Sequence, residues 1–297
     1  MDIKKSPKSI YFFGNRGVFS ATVFNCLIQK EVSISQVFCA SSGPALIPEK
    51  SLPVSQPVKE EMLDTLAHQQ GIPVQHIISQ AELDSLNLQK SVKQDFILVA
   101  CFPYHLPETF INWPILGCLN IHPSLLPQYR GPDPLFWQLH KGESQTGVSL
   151  HLVTPRMDAG PIVSQRKFQF KDGATRYDLE TYLAKKGADL FTTLLSKNIT
   201  KPITGEPQDK SNASYFPNPS AKDYEVSLDW SARHAYNFVQ GTCSLSGHYD
   251  VNIEGKYLKI ISTVEYTNNA NIIGKVEKSD DGLLIQFSPG TLRVKPY

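Results

Sequence analysis

Three polar residues in this chain have types and spacing suited to acyl-transfer chemistry: Asn120, His122 and Asp158. Asn120 and His122 stand two apart in Asn120-Ile121-His122-Pro123-Ser124-Leu125-Leu126-Pro127, at the end of a run that reads as a strand. At that spacing both side chains project from one face of the strand. Asp158, in Met157-Asp158-Ala159-Gly160-Pro161, follows another expected strand. An amide can donate to a developing oxyanion, and an imidazole can donate or shuttle a proton. A carboxylate can orient the imidazole and stabilise its charged form. The same residues also have a structural reading, because His beside a proline turn is commonly a satisfied structural group and Asn before a turn is often turn chemistry. No serine or cysteine lies in an elbow context, so no covalent nucleophile is expected. His140 and His151 are isolated and read as structural, and Gly14-Asn15-Arg16-Gly17 is too short for a phosphate-binding glycine motif.

The elements that must position these residues alternate between strand and helix. Ser9 to Phe13, Gln36 to Ala40, Asp95 to Ala100, Cys118 to His122, Val148 to Val153 and Pro161 to Phe170 read as strands. Val18 to Gln29, Pro57 to Gln70 and Thr175 to Lys197 read as helices, with a loop over Ser41 to Gln56. Such alternation predicts an α/β fold with a mostly parallel sheet, whose sites lie at the carboxyl ends of the strands. Residues 200–221 carry prolines and small polar residues and read as a linker. Beyond it, one helix (Ser231 to Gln240) precedes short strands at His248 to Ile253, Tyr257 to Val264, Ile272 to Val276, Leu283 to Phe287 and Thr291 to Val294. Turns at Glu254-Gly255 and Asp281-Gly282 divide them, which suggests a small β-barrel or sandwich. The expected division is 1–199, 200–221 and 222–297.

Composition narrows the classes. The chain has 297 residues, 41% of them apolar, enough for a sizeable core. A net charge of +1 gives no global field toward nucleic acid or membrane. No run approaches a membrane span, and the N-terminus lacks the apolar core of a signal peptide, so a cytoplasmic protein is expected. The five cysteines (Cys26, Cys39, Cys101, Cys118, Cys243) are odd in number and form no CxxC, which favours reduced thiols over disulfides or a metal site.

Several linked motifs resemble one family. Asn120 to Pro127, then Tyr129-Arg130-Gly131, Thr146-Gly147-Val148-Ser149 and Asp158-Ala159-Gly160 are similar, in order and spacing, to the 10-formyltetrahydrofolate-dependent formyltransferases. That family includes enzymes acting on methionyl-tRNA, on glycinamide ribonucleotide and on amino sugars. The resemblance extends from Ile10-Gly14 to Ala213-Ser214-Tyr215 and Leu228-Asp229-Trp230. It implies a Rossmann-like catalytic domain followed by a small, OB-like β-barrel, which the glycinamide ribonucleotide enzyme lacks. It also implies that Asn120, His122 and Asp158 are catalytic, and that Ser124, Leu125, Leu126, Pro127, Cys101 and Phe102 line the folate site. The formyl donor would be 10-formyltetrahydrofolate, with no metal and no acyl-enzyme.

The acceptor stays open between methionyl-tRNA, which the overall architecture favours, and a small amine such as an amino-sugar nucleotide. A formyltetrahydrofolate hydrolase or an inactive folate-binding relative is a further alternative. Region 206–297 holds nine basic residues against eleven acidic, a balance of −2, and the loop 41–56 carries only Lys50 and Glu49 as charges. A tRNA-binding surface is usually basic. Phe136-Trp137 after Arg130-Gly131 forms an added aromatic pair, read either as core or as a wall for a small acceptor.

Overall fold

The computed structural model of the chain describes residues 8–41, 62–88 and 91–297. The described residues form two compact units, the first drawn from within 8–130, 147–166 and 180–214 and the second from 131–146, 167–179 and 215–297.

The first unit is built on a seven-stranded sheet of order β3-β2-β1-β4-β5-β6-β7. Its strands are β1 (Ser9–Asn15), β2 (Ser33–Ala40), β3 (Val74–Ile77), β4 (Phe96–Ala100), β5 (Gly117–His122), β6 (Gln145–Leu152) and β7 (Ile162–Gln169). β1 through β5 pair in parallel, while β5 and β6 run antiparallel. The sheet is therefore mostly parallel, as expected. β4 (Phe-Ile-Leu-Val-Ala) is buried along its whole length, as a central parallel strand covered on both faces must be. α1 (Val18–Gln29) turns Phe19, Val23, Phe24 and Leu27 inward. Phe13 of β1 stacks on Phe38 of β2 with ring centroids 4.3 Å apart, anchoring a cluster with Tyr11, Phe110 and Trp113.

α2 (Leu63–Gln69) starts after the extended N-cap Met62, later than the helix expected at Pro57 to Gln70; residues 57–61 and the loop expected at 41–56, apart from Ser41, lie outside the described residues. β3, α3 (Gln80–Ser85) and α4 (Glu108–Ile111) had no periodic signal, since elements of four to six residues offer too few repeats to read. α6 (Arg176–Leu195) is the long helix expected near Thr175, and the Thr175 hydroxyl donates to the Asp178 carboxylate at 2.7 Å.

The second unit contains a six-stranded sheet of order β11-β12-β13-β10-β9-β8. The strands are β8 (Glu225–Val226), β9 (Tyr249–Ile253), β10 (Lys256–Thr267), β11 (Val276–Ser279), β12 (Gly282–Gln286) and β13 (Thr291–Pro296), antiparallel apart from β8 beside β9. Glu254 and Gly255 both take positive φ (51° and 86°), the backbone that a two-residue hairpin requires. The strand expected at 272–276 falls later, at Val276–Ser279, and Ser279 pairs with Gly282. The reversal is therefore Asp280-Asp281, one residue before the expected Asp281-Gly282, because the apolar start at Ile272 belongs to the preceding segment.

α5 (Pro134–His140) and α7 (Ala232–Thr242) carry this unit's aromatic core. Asp133 caps α5 by accepting from the Phe136 N–H at 3.1 Å. Phe136 is fully buried and lies edge-on to Phe238 at 5.5 Å, while Trp137 stacks on Phe216 at 5.0 Å and donates Nε1–H to the Pro217 carbonyl at 2.8 Å. Of the two readings of this aromatic pair, burial favours core. Among the described residues, no helix is long and apolar enough to cross a membrane.

Candidate functional site

β4 and β5 exit the sheet side by side, with Ala100 opposite Ile121, so Cys101 leaves β4 next to where His122 ends β5. In the antiparallel pair of β5 and β6, Asn120 lies opposite His151 and His122 opposite Ser149. Directly opposed residues share a face, so two imidazoles and an amide converge on one spot.

The carboxylate of Asp158 completes the cluster. Its Oδ1 lies 3.4 Å from Asn120 Nδ2, 3.6 Å from His122 Nδ1 and 3.6 Å from His151 Nε2. Its side chain is 9% exposed, those of His122 and His151 5% and 2%. The structure thus brings together all three polar residues singled out from the sequence. It also corrects one reading: His151 is not isolated but sits within the cluster. The sequence did carry a hint, since His151 shares a strand face with Ser149, but nothing in it fixes which residue of β5 lies opposite.

Hydrogen-bond partners set the tautomers. His122 Nε2 is 2.8 Å from the Tyr129 carbonyl, which can only accept, so Nε2 carries hydrogen and Nδ1 faces Asp158. His151 Nδ1 is 2.8 Å from the Leu152 carbonyl, so Nδ1 carries hydrogen and Nε2 of the neutral ring accepts from Asn120 Nδ2 at 3.1 Å. Burial pushes the His122 imidazole below its ordinary value, with the Asp158 carboxylate and the Tyr129 carbonyl opposing and His151 adding to the push.

The loop after β5 is pinned from β6 and β7. The Ser149 hydroxyl donates to the Ser124 carbonyl at 2.6 Å and accepts from the Leu126 N–H at 3.1 Å. Gln165 donates to the Leu126 carbonyl at 2.7 Å and to Ser149 Oγ at 2.8 Å. Ser124 donates to the Gln128 carbonyl at 2.8 Å. Ser124 and Leu126 are buried, whereas Leu125 and Pro127 keep exposed surface. After β4, Cys101 takes a positive φ of 52°, and the half-buried Phe102 packs edge-on against Phe13 at 5.2 Å and Tyr104 at 5.6 Å.

Asp158 has a positive φ of 50°, unusual for a residue with a Cβ. Two features hold that backbone. Gly160 lets the chain pass against β6, since a Cβ there would fall 1.8 Å from the Leu152 carbonyl oxygen. Gln208 donates to the carbonyls of Asp158 at 2.8 Å and Gly160 at 2.7 Å. Residues of the expected linker therefore reach the site, and Ser214 likewise accepts from the N–H groups of Tyr129 (2.9 Å) and Arg130 (3.0 Å).

One group of metal-ligating types occurs among the described residues: Cys39, Asp64 and His76, with ligand atoms within 4.8 Å of one another. The Arg16 guanidinium already occupies Asp64 at 2.9 Å. Burial, with Asp64 adding to it, pushes the Cys39 thiol up to about 11. A resident guanidinium and a thiol so reluctant to ionise both oppose a cation there.

Comparison with known proteins gives a consistent result. The family described as formyl transferase matches residues 8–195, which include Asn120, His122, His151 and Asp158. Methionyl-tRNA formyltransferase of Thermodesulfovibrio yellowstonii is 32% identical over 69% of this chain and 66% of its own length. That of Thermotoga neapolitana is 29% identical over 93% of this chain and 86% of its own. The chain spans just under two thirds of the first of these relatives and, at 52%, about half of a Synechococcus methionyl-tRNA formyltransferase. Among solved structures, an N-formyltransferase from Helicobacter canadensis, in complex with folinic acid and dTDP-3-aminofucose, superposes with a TM-score of 0.68 at 19% identity. That match covers 98% of this chain and 100% of the other, a likeness of fold.

Proposed function

We propose that this chain, which belongs to the formyl transferase family, is an N-formyltransferase that moves a formyl group from 10-formyltetrahydrofolate to an acceptor amine. The observation that carries the reading is the convergence of Asn120 Nδ2 and His122 Nδ1 on Asp158 Oδ1, at 3.4 and 3.6 Å. The acceptor nitrogen attacks the formyl carbon, a C–N bond forms and the carbonyl oxygen becomes an oxyanion. Asn120 and His122 stabilise that oxyanion. Asp158 favours the charged form of His122 as the oxyanion develops, and passes the amine's proton through water toward the folate nitrogen as the old C–N bond breaks. No residue forms a covalent intermediate and no metal takes part. Removing one such donor typically costs about 10²–10³ in turnover.

Folate binding is assigned to Leu125, Pro127, Cys101 and Phe102, with Ser124 and Leu126 supporting the loop from inside. Partly exposed apolar groups at strand ends suit a pteridine. Our domain division is a catalytic domain at 1–199, a linker at 200–221 and a C-terminal domain at 222–297 whose sheet curls into a barrel. In its support, β1 through α6 end at Leu195 and β8 begins at Glu225. The protein acts in the cytoplasm, in keeping with five cysteines that form no disulfide.

Sequence similarity to methionyl-tRNA formyltransferases supports initiator tRNA as one acceptor. The balance of −2 over 206–297 favours the second reading, a small amine such as an amino-sugar nucleotide. A formyl-transfer assay with 10-formyltetrahydrofolate, against charged initiator tRNA and a panel of amino-sugar nucleotides, decides between them. Transfer to neither, with acceptor-independent release of formate, would instead mark a hydrolase. Loss of neither folate nor formyl group would mark an inactive relative and sink the reading.

A further inference from the structure

We propose that Gln208 is a positioning residue that sets the carboxylate of Asp158 against His122, by clamping the turn that carries it. The inference rests on the reading of Asp158 given above, and it goes beyond that reading by adding a residue from the segment between the two domains.

The case is one of complete hydrogen-bond use. The two amide hydrogens of Gln208 go to the carbonyls of Asp158 (2.8 Å) and Gly160 (2.7 Å), at either end of the turn Asp158-Ala159-Gly160. Its Oε1 accepts from Arg130 Nε at 3.1 Å and Nη2 at 2.6 Å. The orientation of the amide is unambiguous. Turned over, its oxygen would face two carbonyl oxygens and its NH₂ would face a guanidinium, leaving every partner mismatched. Asp158 needs such support because its φ of 50° is costly for a residue with a Cβ. Arg130, 8% exposed, is itself held through its backbone by Ser214. The chain from 208 to 214 therefore grips both the β5 loop and the Asp158 turn. Release of the clamp would let the turn relax, and Asp158 Oδ1 would no longer be fixed 3.6 Å from His122 Nδ1.

The test uses the full chain and two variants. Gln208→Met keeps the side-chain length without any hydrogen bond, and Gln208→Asn keeps the amide on a shorter stem. The first readout is the NMR titration of the His122 imidazole, which needs no turnover. The titratable groups facing His122 are Asp158 and His151, and Asp158 in turn faces Arg130, which Arg156 also approaches. With the Asp158 carboxylate displaced, the support it gives to the charged ring weakens, and the His122 titration in Gln208→Met moves to lower pH. The second readout is turnover with the acceptor found in the assay above: kcat falls by about 10- to 100-fold while KM for 10-formyltetrahydrofolate holds, the signature of misplacement rather than lost binding. Gln208→Asn recovers part of both. A folded Gln208→Met protein in which His122 titrates as in wild type overturns the proposal, whether or not its melting temperature falls. If His122→Ala retained full transfer, the catalytic reading would fail while the titration arm still reported on the clamp.

Discussion

The Nε2 of His151 lies 3.1 Å from the Nδ2 of Asn120, across the antiparallel pair of β5 and β6. Because His151 Nδ1 is committed to the Leu152 carbonyl at 2.8 Å, Nε2 is an acceptor that, with Asp158 Oδ1 at 3.4 Å, fixes which way the Asn120 amide points. An amide aimed this way presents its NH₂ group, and not its oxygen, to the site. His151→Phe keeps a ring of similar size but removes that acceptor. We expect kcat to fall about 10- to 100-fold with the fold retained, and His151→Gln to restore part of the loss. Unchanged kinetics in His151→Phe would mean that Asn120 is oriented by other contacts.

Gly160 is predicted to tolerate no side chain. The Cβ of Gly160→Ala would lie 1.8 Å from the Leu152 carbonyl oxygen, so β6 or the Asp158 turn must move. The expected outcome is a loss of turnover comparable to that of an Asp158 substitution, together with a lower melting temperature. A Gly160→Ala enzyme with wild-type kcat would show that the turn can shift without cost.

Phe136 is predicted to act through packing. It is fully buried against Tyr224 (ring centroids 5.1 Å apart), Phe238 (5.5 Å) and His140 (5.9 Å). Phe136→Ala should lower stability by about 3–5 kcal/mol, the usual range for a buried aromatic. Denaturant unfolding checks this. A change in acceptor KM at full stability would instead restore the reading of this pair as an acceptor wall.

Acid should destabilise the protein through its buried histidines. Burial holds His122, His140 and His234 below the ordinary imidazole value of 6.5. As pH falls through that value, the unfolded chain takes up protons before the folded one does. Their contribution is therefore complete above it and lost below it. His140 is the clearest case: its Nδ1 is buried with no hydrogen-bond partner among the described residues, and its ring lies between Phe136 and Trp230. The charged groups bearing on it are Lys141, Asp223 and His234. His140→Phe should flatten the fall of melting temperature between about pH 7 and pH 5. An unaltered slope would assign the acid sensitivity to other groups.

Much of this is legible in the sequence alone. The long strands and helices announce themselves because each repeats its apolar pattern several times: α1 spans Val18–Gln29 as its periodicity requires, and β4 reads as one continuous apolar run. Asn120 and His122 are legible because a strand's alternation is local. His151 is not, since its place in the site depends on the register of β6 against β5, a property of two segments far apart in the chain. Gln208 is hidden for a related reason. Its flanking Pro207 and small polar neighbours have linker composition, and only the folded chain lays it across the Asp158 turn.

The most direct test of the central claim compares single-turnover formyl transfer by the wild-type protein and by Asp158→Asn, at saturating 10-formyltetrahydrofolate and with the preferred acceptor amine. Asp158→Asn is nearly isosteric and keeps the turn that Gln208 and Gly160 support, but it cannot hold a charged His122 or take up a proton. We predict folate binding and melting temperature close to wild type, with the transfer step slowed by at least about 10²-fold. Transfer at the wild-type rate in a folded, folate-binding Asp158→Asn protein would contradict the account.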